Sequence, residues 1–372
     1  MNISTLSLVN FRNYEKLDFK PSSGLNVLVG MNAQGKSAVL EAIYFLATSK
    51  SHRTSRDLDL IRLGQNAART SAEVIRSSRN DVSLEITLSK AEKKLIKING
   101  VKHPRIGDLV GQLNAVIFSN SDIDMVKGEP SRRRRFLNLE ISQVSPQYIY
   151  ALGRYKRVLD QRNNLLREIK MGSGRIDALG VWDDQLALYG ATIFSRRAKF
   201  IDVLSHAASE VFASLTGGSE TLGVTYKPNL ETKASDSEED IVARFSKILA
   251  ARRDTDLARA TTTVGPHRDD IALTVNDLSA REFASQGQQR TVAISLKLAE
   301  IELMEEYIAE SPIVLLDDVM AELDEARRAH ILELTIGRCQ TFITTTHVSE
   351  LDQGLTSGAS IFEVVCGRVN PK

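Results

Sequence analysis

Gly30-Met31-Asn32-Ala33-Gln34-Gly35-Lys36-Ser37 lies directly behind the apolar run Leu25 to Val29 and ahead of Val39, Leu40, Ile43 and Leu46, which recur at helical spacing. The order is strand, glycine-containing loop, helix. In that setting Gly30 and Gly35 let the backbone curl so that its N–H groups point at phosphates, Lys36 neutralises β- and γ-phosphate oxygens, and the Ser37 hydroxyl is placed for Mg2+. The stretch implies an α/β P-loop fold that holds ATP, with each of its eight residues at the nucleotide.

P-loop chemistry also needs a carboxylate at the end of a buried strand. Pro312-Ile313-Val314-Leu315-Leu316 is an unbroken apolar run, as expected of a strand covered on both faces, and it ends in Asp317-Asp318. Asp317 is the candidate metal carboxylate, and Asp318 is placed to orient or deprotonate the attacking water. The blander reading of the pair is a cap on the following helix. About 25 residues earlier, Ser285-Gln286-Gly287-Gln288-Gln289-Arg290 opens another helix. Its N-terminus is a second anion site, which a nucleotide already held by the first loop does not need, so it points to a second molecule's phosphate and to dimerisation. An ordinary capped helix is the alternative there.

The charges balance, 48 Lys plus Arg against 47 Asp plus Glu, so any nucleic-acid contact must come from a local cluster. Arg132-Arg133-Arg134-Arg135 is the one strongly basic run, either a solvated helix face or a contact to a DNA backbone. The two cysteines, Cys339 and Cys366, lie far apart, as in a protein of a reducing compartment, and cytoplasm is expected. No apolar run approaches the ~20 residues of a membrane span. The six histidines show no metal-ligand spacing.

Strand-like runs fill the first part (Leu6 to Phe11, Leu17 to Phe19, Val82 to Leu88, Leu95 to Ile98, Ala115 to Phe118). From Tyr148 to Ile169, and again from Trp182 to Val203, apolar residues follow a 4-3 spacing interrupted by Met171-Gly172-Ser173-Gly174. This predicts a helical hairpin with arms of ~35 to 45 Å at 1.5 Å per residue, its seam broken by Arg162 and Arg196. The acidic stretch Lys233 to Asp240 reads as a loop capping a helix from Ile241 to about Arg253. Expected domains are 1–140, the first part of the ATPase; 141–258, the helical insertion; and 259–372, the second part of the ATPase.

At these residues the sequence resembles the RecF family of the SMC and ABC-type ATPase group. The matching stretches are Asn10 to Tyr14, the phosphate loop, Lys50-Ser51-His52-Arg53-Thr54, Gly128-Glu129-Pro130 with the arginines, Gly265-Pro266-His267-Arg268-Asp269-Asp270, Ser285 to Gln288, and Leu315 to Asp324. The resemblance implies an ATPase head with mixed sheets, split by the hairpin. It implies an ATP-dependent homodimer that hydrolyses ATP slowly under DNA stimulation and binds duplex DNA next to single-stranded gaps. With RecO and RecR such a protein assists RecA loading in DNA repair, replication and the SOS response. By the same resemblance Ser285, Gly287 and Gln288 become a signature closing on the partner's ATP, Asp317 the magnesium carboxylate and Asp318 the catalytic one. Ala321-Glu322-Leu323-Asp324 becomes the D-loop with Asp324 at the dimer seam, Arg12 a phosphate contact and His347 a γ-phosphate sensor. Two positions depart from the family pattern: Ser119-Asn120-Ser121-Asp122 stands where Pro-Glu-Asp is usual, which bears on the Q-loop, and Asn138 replaces an Asp. A transporter ATPase subunit shares the motif order but carries Leu-Ser-Gly-Gly-Gln at the signature, a full SMC protein needs coiled coils of hundreds of residues, and a nucleotide-bound adaptor would not need Asp318.

Overall fold

The computed structural model describes residues 1–231, 235–320, 323–348 and 358–372, which group into two compact units, 1–122 with 294–372, and 123–293. The divisions differ from the expected 140 and 259. The arginine run and the signature both fall in the second unit: the helix Pro130–Val144 packs with the helical hairpin, and the start of the helix Gln286–Ile308 is tied to Glu220 and to the Ala280 carbonyl.

In the first unit, β1 (Asn2–Phe11), β2 (Tyr14–Phe19), β4 (Ala67–Ile75), β5 (Val82–Ser89), β6 (Leu95–Ile98) and β7 (Val101–His103) form an antiparallel sheet in the order β2-β1-β4-β5-β6-β7. The strict in-out alternation of Val82–Ser89 is the period-2 pattern of a strand with one covered face. The second sheet joins β3 (Leu25–Val29), β8 (Ala115–Ser119), β12 (Ile313–Asp317), β13 (Thr341–Thr345), β14 (Ser360–Val365) and β15 (Arg368–Pro371) in the order β15-β14-β3-β13-β12-β8. All its pairings are parallel except β14 with β15. Strands β3 and β13 are buried throughout and β12 through Leu316, which is why they read as continuous apolar or Thr-rich runs. Helix α1 (Lys36–Thr48) follows β3, and α2 (Ile106–Leu109) is a single turn.

The second unit holds α3 (Asp124–Lys127), α4 (Pro130–Val144), α5 (Pro146–Lys170), α6 (Leu179–Leu215), α7 (Glu238–Ala251), α8 (Arg253–Arg259) and the antiparallel sheet β11-β10-β9, of β9 (Leu222–Lys227), β10 (Asp270–Val275) and β11 (Leu278–Ser279). The hairpin is α5 and α6. With 37 residues the second arm reaches ~55 Å, longer than expected. Arg162 does enter the seam, but as a fully buried cation paired with Asp183 and Asp256 at 2.7 Å each and donating to the Thr262 hydroxyl at 2.9 Å. The second buried cation of the hairpin helices is Arg197 rather than Arg196; it pairs with Asp269 at 2.7 Å and donates to the Tyr148 and Asn138 oxygens. Asn138 thus holds an acceptor between Tyr148 and Arg197, where a charged carboxylate is not required. Helix α7 starts at Glu238, capped by the Ser237 side chain, three residues earlier than expected. Helix α9 (Gln286–Ile308) begins in this unit and continues into the first, and α10 (Glu325–Thr335) lies between β12 and β13.

Candidate active site

In an open parallel sheet, ligands collect at the carboxyl ends of the strands. Register brings four such ends together here: Thr345 pairs with Val29, Thr344 with Asp317, and Asp317 with Ser119. The phosphate loop, the Asp pair, the end of β13 and the Ser119–Asp122 segment therefore open on one edge. A Cβ at Gly30 would lie 2.3 Å from the Val364 carbonyl oxygen, and Gly35 has φ +118° at the N-terminus of α1, so both glycines are required sterically. Lys36 curls back, its Nζ donating to the carbonyls of Gly30 (2.7 Å) and Met31 (3.2 Å).

Asp317 is the centre of the cluster. Burial alone would push its carboxyl up. Hydrogen bonds from His52 and Ser37, with a further one from Thr344, outweigh that and hold it below the usual carboxylate range. His52 Nε2 lies 3.4 Å from Oδ2 and the Thr344 hydroxyl 3.1 Å from Oδ1. The same hydroxyl is 3.1 Å from Asp318 Oδ1 and accepts the Asp318 backbone N–H at 2.8 Å. Asp318 itself is bent into the left-handed region, φ +54°, which turns its side chain away from the direction of β12. Ser37 and Asp317 form a hard-oxygen set, and among the described residues no group of three or more His, Cys, Asp or Glu could hold a metal. That fits Mg2+, which takes one or two protein oxygens and completes its shell with phosphate and water.

The remaining expected residues are placed as follows. Arg12 sits on the buried Glu41 of α1 through two bonds, Nε to Oε2 at 2.8 Å and Nη2 to Oε1 at 2.7 Å, while Nη1 donates to the Asp59 carbonyl. Ser51 donates to Glu41 Oε1 as well. His347 is exposed just past β13, at the phosphate-loop edge. Asp324 caps α10, accepting the Arg327 N–H at 2.9 Å, and Ala321 and Glu322 lie outside the described residues. Ser119 donates its backbone N–H to Asp122 Oδ2 at 2.7 Å, closing the segment where the family pattern is altered.

In the second unit, Ser285 and Gln288 form a reciprocal cap at the start of α9: Gln288 N–H donates to the Ser285 hydroxyl at 3.2 Å, and Ser285 N–H to Gln288 Oε1 at 2.7 Å. The Gln288 amide also donates to Glu220 at 2.5 Å, and Gly287 is exposed. The arginine run requires a correction. Within the run only Arg132 is exposed; Arg133 is buried, pairs with Asp270 through two bonds of 2.6 and 2.9 Å, and donates to the Met125 and Gly128 carbonyls. Arg134 donates to the Asp269 carbonyl at 2.8 Å. Arg133 is thus a structural cation, not a free DNA contact.

His52, Thr344 and Glu41 are the participants that motif chemistry did not single out. Their only signal in the sequence is membership of the Lys50–Thr54 stretch, the strand-end threonines and the first turns of α1.

A phosphate loop, an Asp pair at the end of a parallel strand of the same sheet, one strand (β13) removed, and a serine-capped second helix define the P-loop ATPase heads of the SMC and ABC type. The family model for the RecF/RecN/SMC N terminal domain matches residues 2–365. The chain is 41% identical over 372 residues to the DNA replication and repair protein RecF of Halalkalibacterium halodurans, covering 100% of both, and 44% identical to that of Lactococcus lactis subsp. cremoris, covering 99% of both. The solved structure of the recombination mediator protein RecF with ATP in the RecFOR pathway superposes with a TM-score of 0.92 at 34% identity, over 100% of this chain and 97% of that one. The Smc head domain of Pyrococcus furiosus, at 17% identity and a TM-score of 0.55, shares the fold. The chain belongs to the RecF family.

Proposed function

We propose that this chain is an ATP-timed switch on DNA: the loop Gly30–Ser37 binds ATP, two copies close on it through Ser285, Gly287 and Gln288, and slow hydrolysis reopens them. The observation that carries the reading is Asp317, a half-buried carboxylate on the phosphate-loop edge whose two oxygens are held by His52 and Thr344. Lys36 exchanges the Gly30 and Met31 carbonyls for phosphate oxygens. Ser37 and Asp317 would hold Mg2+, which when bound neutralises charge between the β- and γ-phosphates. Asp318, fixed by Thr344, orients the attacking water and takes its proton. Arg12, anchored on Glu41, and His347 contribute donors toward the phosphates, and Asp324 faces the partner copy.

The partners in this reading are duplex DNA next to single-stranded gaps, then RecR and RecO, with RecA loaded downstream. The setting is the cytoplasm, in repair, replication and the SOS response. The support is the family, whose solved members include a RecF bound to ATP and named for the RecFOR pathway. Among the described residues no helix is long and apolar enough to cross a membrane. The test is ATP turnover per molecule against protein concentration, with and without gapped duplex DNA. A rise with concentration that DNA shifts to lower concentration supports composite sites in a DNA-bound dimer; a flat, DNA-indifferent curve removes the switch.

A further inference from the structure

The phosphate loop is braced from outside by two turns, one between β1 and β2 and one between β14 and β15. Asn13 Nδ2, in the turn between β1 and β2, donates to the Gln34 carbonyl at 2.8 Å, and the Gly367 N–H, in the turn between β14 and β15, donates to the same oxygen at 3.1 Å. The Tyr14 hydroxyl donates to the Gly35 carbonyl at 3.1 Å, and the Gln34 side chain accepts the Cys366 N–H at 2.7 Å. Burial pushes the Tyr14 hydroxyl up, so it remains an O–H donor at any working pH.

A trans peptide carries its C=O and N–H on opposite sides. Fixing the Gln34 carbonyl against these donors, and the Gly35 carbonyl against Tyr14 together with the Ala38 and Val39 N–H groups of α1, therefore turns the N–H groups of Gly35 and Lys36 the other way, away from the braces. The fit leaves no room for adjustment: a Cβ on Gly35 would lie 2.6 Å from Asn13 Nδ2, and one on Gly367, at φ +72°, would lie 2.9 Å from the Asn13 carbonyl oxygen. An unbraced glycine loop would have to order these peptides when the nucleotide arrives, and that ordering would weaken binding.

We infer that Asn13, Tyr14 and the Cys366-Gly367 turn are positioning residues that hold the phosphate loop in its binding geometry before ATP enters, and so set ATP affinity without touching ATP. The inference rests on the reading of Gly30–Ser37 as an ATP site. The test is equilibrium binding of Mg-ATP and Mg-ADP to the full chain carrying Tyr14→Phe, Asn13→Ala or Gly367→Ala, with Lys36→Ala as the reference for a lost phosphate contact.

Tyr14→Phe keeps the ring and removes one donor; it is expected to weaken both nucleotides about fivefold, as is Asn13→Ala, which corresponds to one net hydrogen bond. Gly367→Ala is expected to weaken them at least as much. In turnover, KM rises by more than kcat falls, and thermal unfolding without nucleotide shows that Tyr14→Phe remains folded. Binding by folded Tyr14→Phe and Asn13→Ala within twofold of the unaltered chain overturns the inference. If instead the unaltered chain binds no nucleotide and Lys36→Ala changes nothing, the ATP reading beneath it is what fails.

Discussion

The imidazole of His52 holds one oxygen of Asp317 at 3.4 Å while the Thr344 hydroxyl holds the other at 3.1 Å. A carboxylate with both oxygens restrained keeps one orientation toward whatever sits at Ser37. Groups of this kind, one step behind a carboxylate proposed to hold Mg2+, typically change affinity or activity by about 10- to 100-fold when removed. His52→Ala is therefore expected to raise the Mg2+ concentration for half-maximal ATP turnover about tenfold. An unaltered Mg2+ dependence would mean that the contact has no part in orienting Asp317.

Thr344 is expected to matter more to turnover than to binding. Its hydroxyl reaches Asp317, Asp318 and the Asp318 backbone, so Thr344→Val should lower ATP turnover about tenfold or more while ATP affinity moves little, and Thr344→Ser should restore it. Asp318→Asn should likewise retain ATP and lose turnover. Undiminished turnover in Asp318→Asn would return Asp318 to a capping role and reopen the adaptor reading.

The arginine run divides into two kinds of residue. Arg132→Ala should weaken DNA binding uniformly across sequences and reduce the slope of log affinity against log salt by about one. Arg133→Ala should destabilise the fold, because it strips Asp270 of a two-point partner. A fully buried broken pair costs ~3–5 kcal/mol; with Asp270 32% exposed, about 2 kcal/mol is expected in urea unfolding. An Arg133→Ala protein of normal stability and flattened salt slope would restore the original expectation for that residue.

His267 gives a signed pH dependence. Its Nδ1 lies 2.7 Å from the Tyr155 hydroxyl and its Nε2 3.1 Å from the Thr262 carbonyl, an arrangement that suits a neutral ring protonated at Nε2. Burial pushes its pKa down from 6.5 to about 4. The unfolded chain then takes up a proton near pH 6.5 that the folded chain refuses, so stability is full above 6.5 and falls as pH drops toward 4, by up to about 1.4 kcal/mol per unit. Urea unfolding of the chain and of His267→Gln between pH 7 and 4.5 checks this. The gap between them should change over that window, and a constant gap would exclude His267 as the titrating group.

The sequence displayed most plainly what depends on neighbouring residues. Strands β3 and β12 were legible because strands covered on both faces read as continuous apolar runs, and the phosphate loop because its chemistry is local. Strand β4 was missed: its buried face is Ala68, Thr70, Ala72 and Val74, small or polar residues that carry little hydrophobic period. The fate of Arg133 was in fact readable. Helix α4 buries Phe136, Leu137, Glu140 and Ile141, and Arg133 stands three and four residues before the first two, on the same stripe. His52 could not be placed from spacing, since 265 residues separate it from Asp317 and only the parallel sheet brings them together.

The strand that carries the phosphate loop has a further consequence, for synthesis. In its sheet β3 is paired on one side with Thr341–Thr345 and on the other with Ser360–Glu363, more than 300 residues later, whereas the antiparallel sheet uses only residues 2–103. A nascent chain can complete the antiparallel sheet early, but β3 waits for both of its neighbours until residue 363 has been made. The phosphate loop, braced by the turn at Cys366 and Gly367, is therefore among the last features to take shape. Polypeptides that stop before residue 341 therefore carry the motif without either strand that flanks it in the sheet.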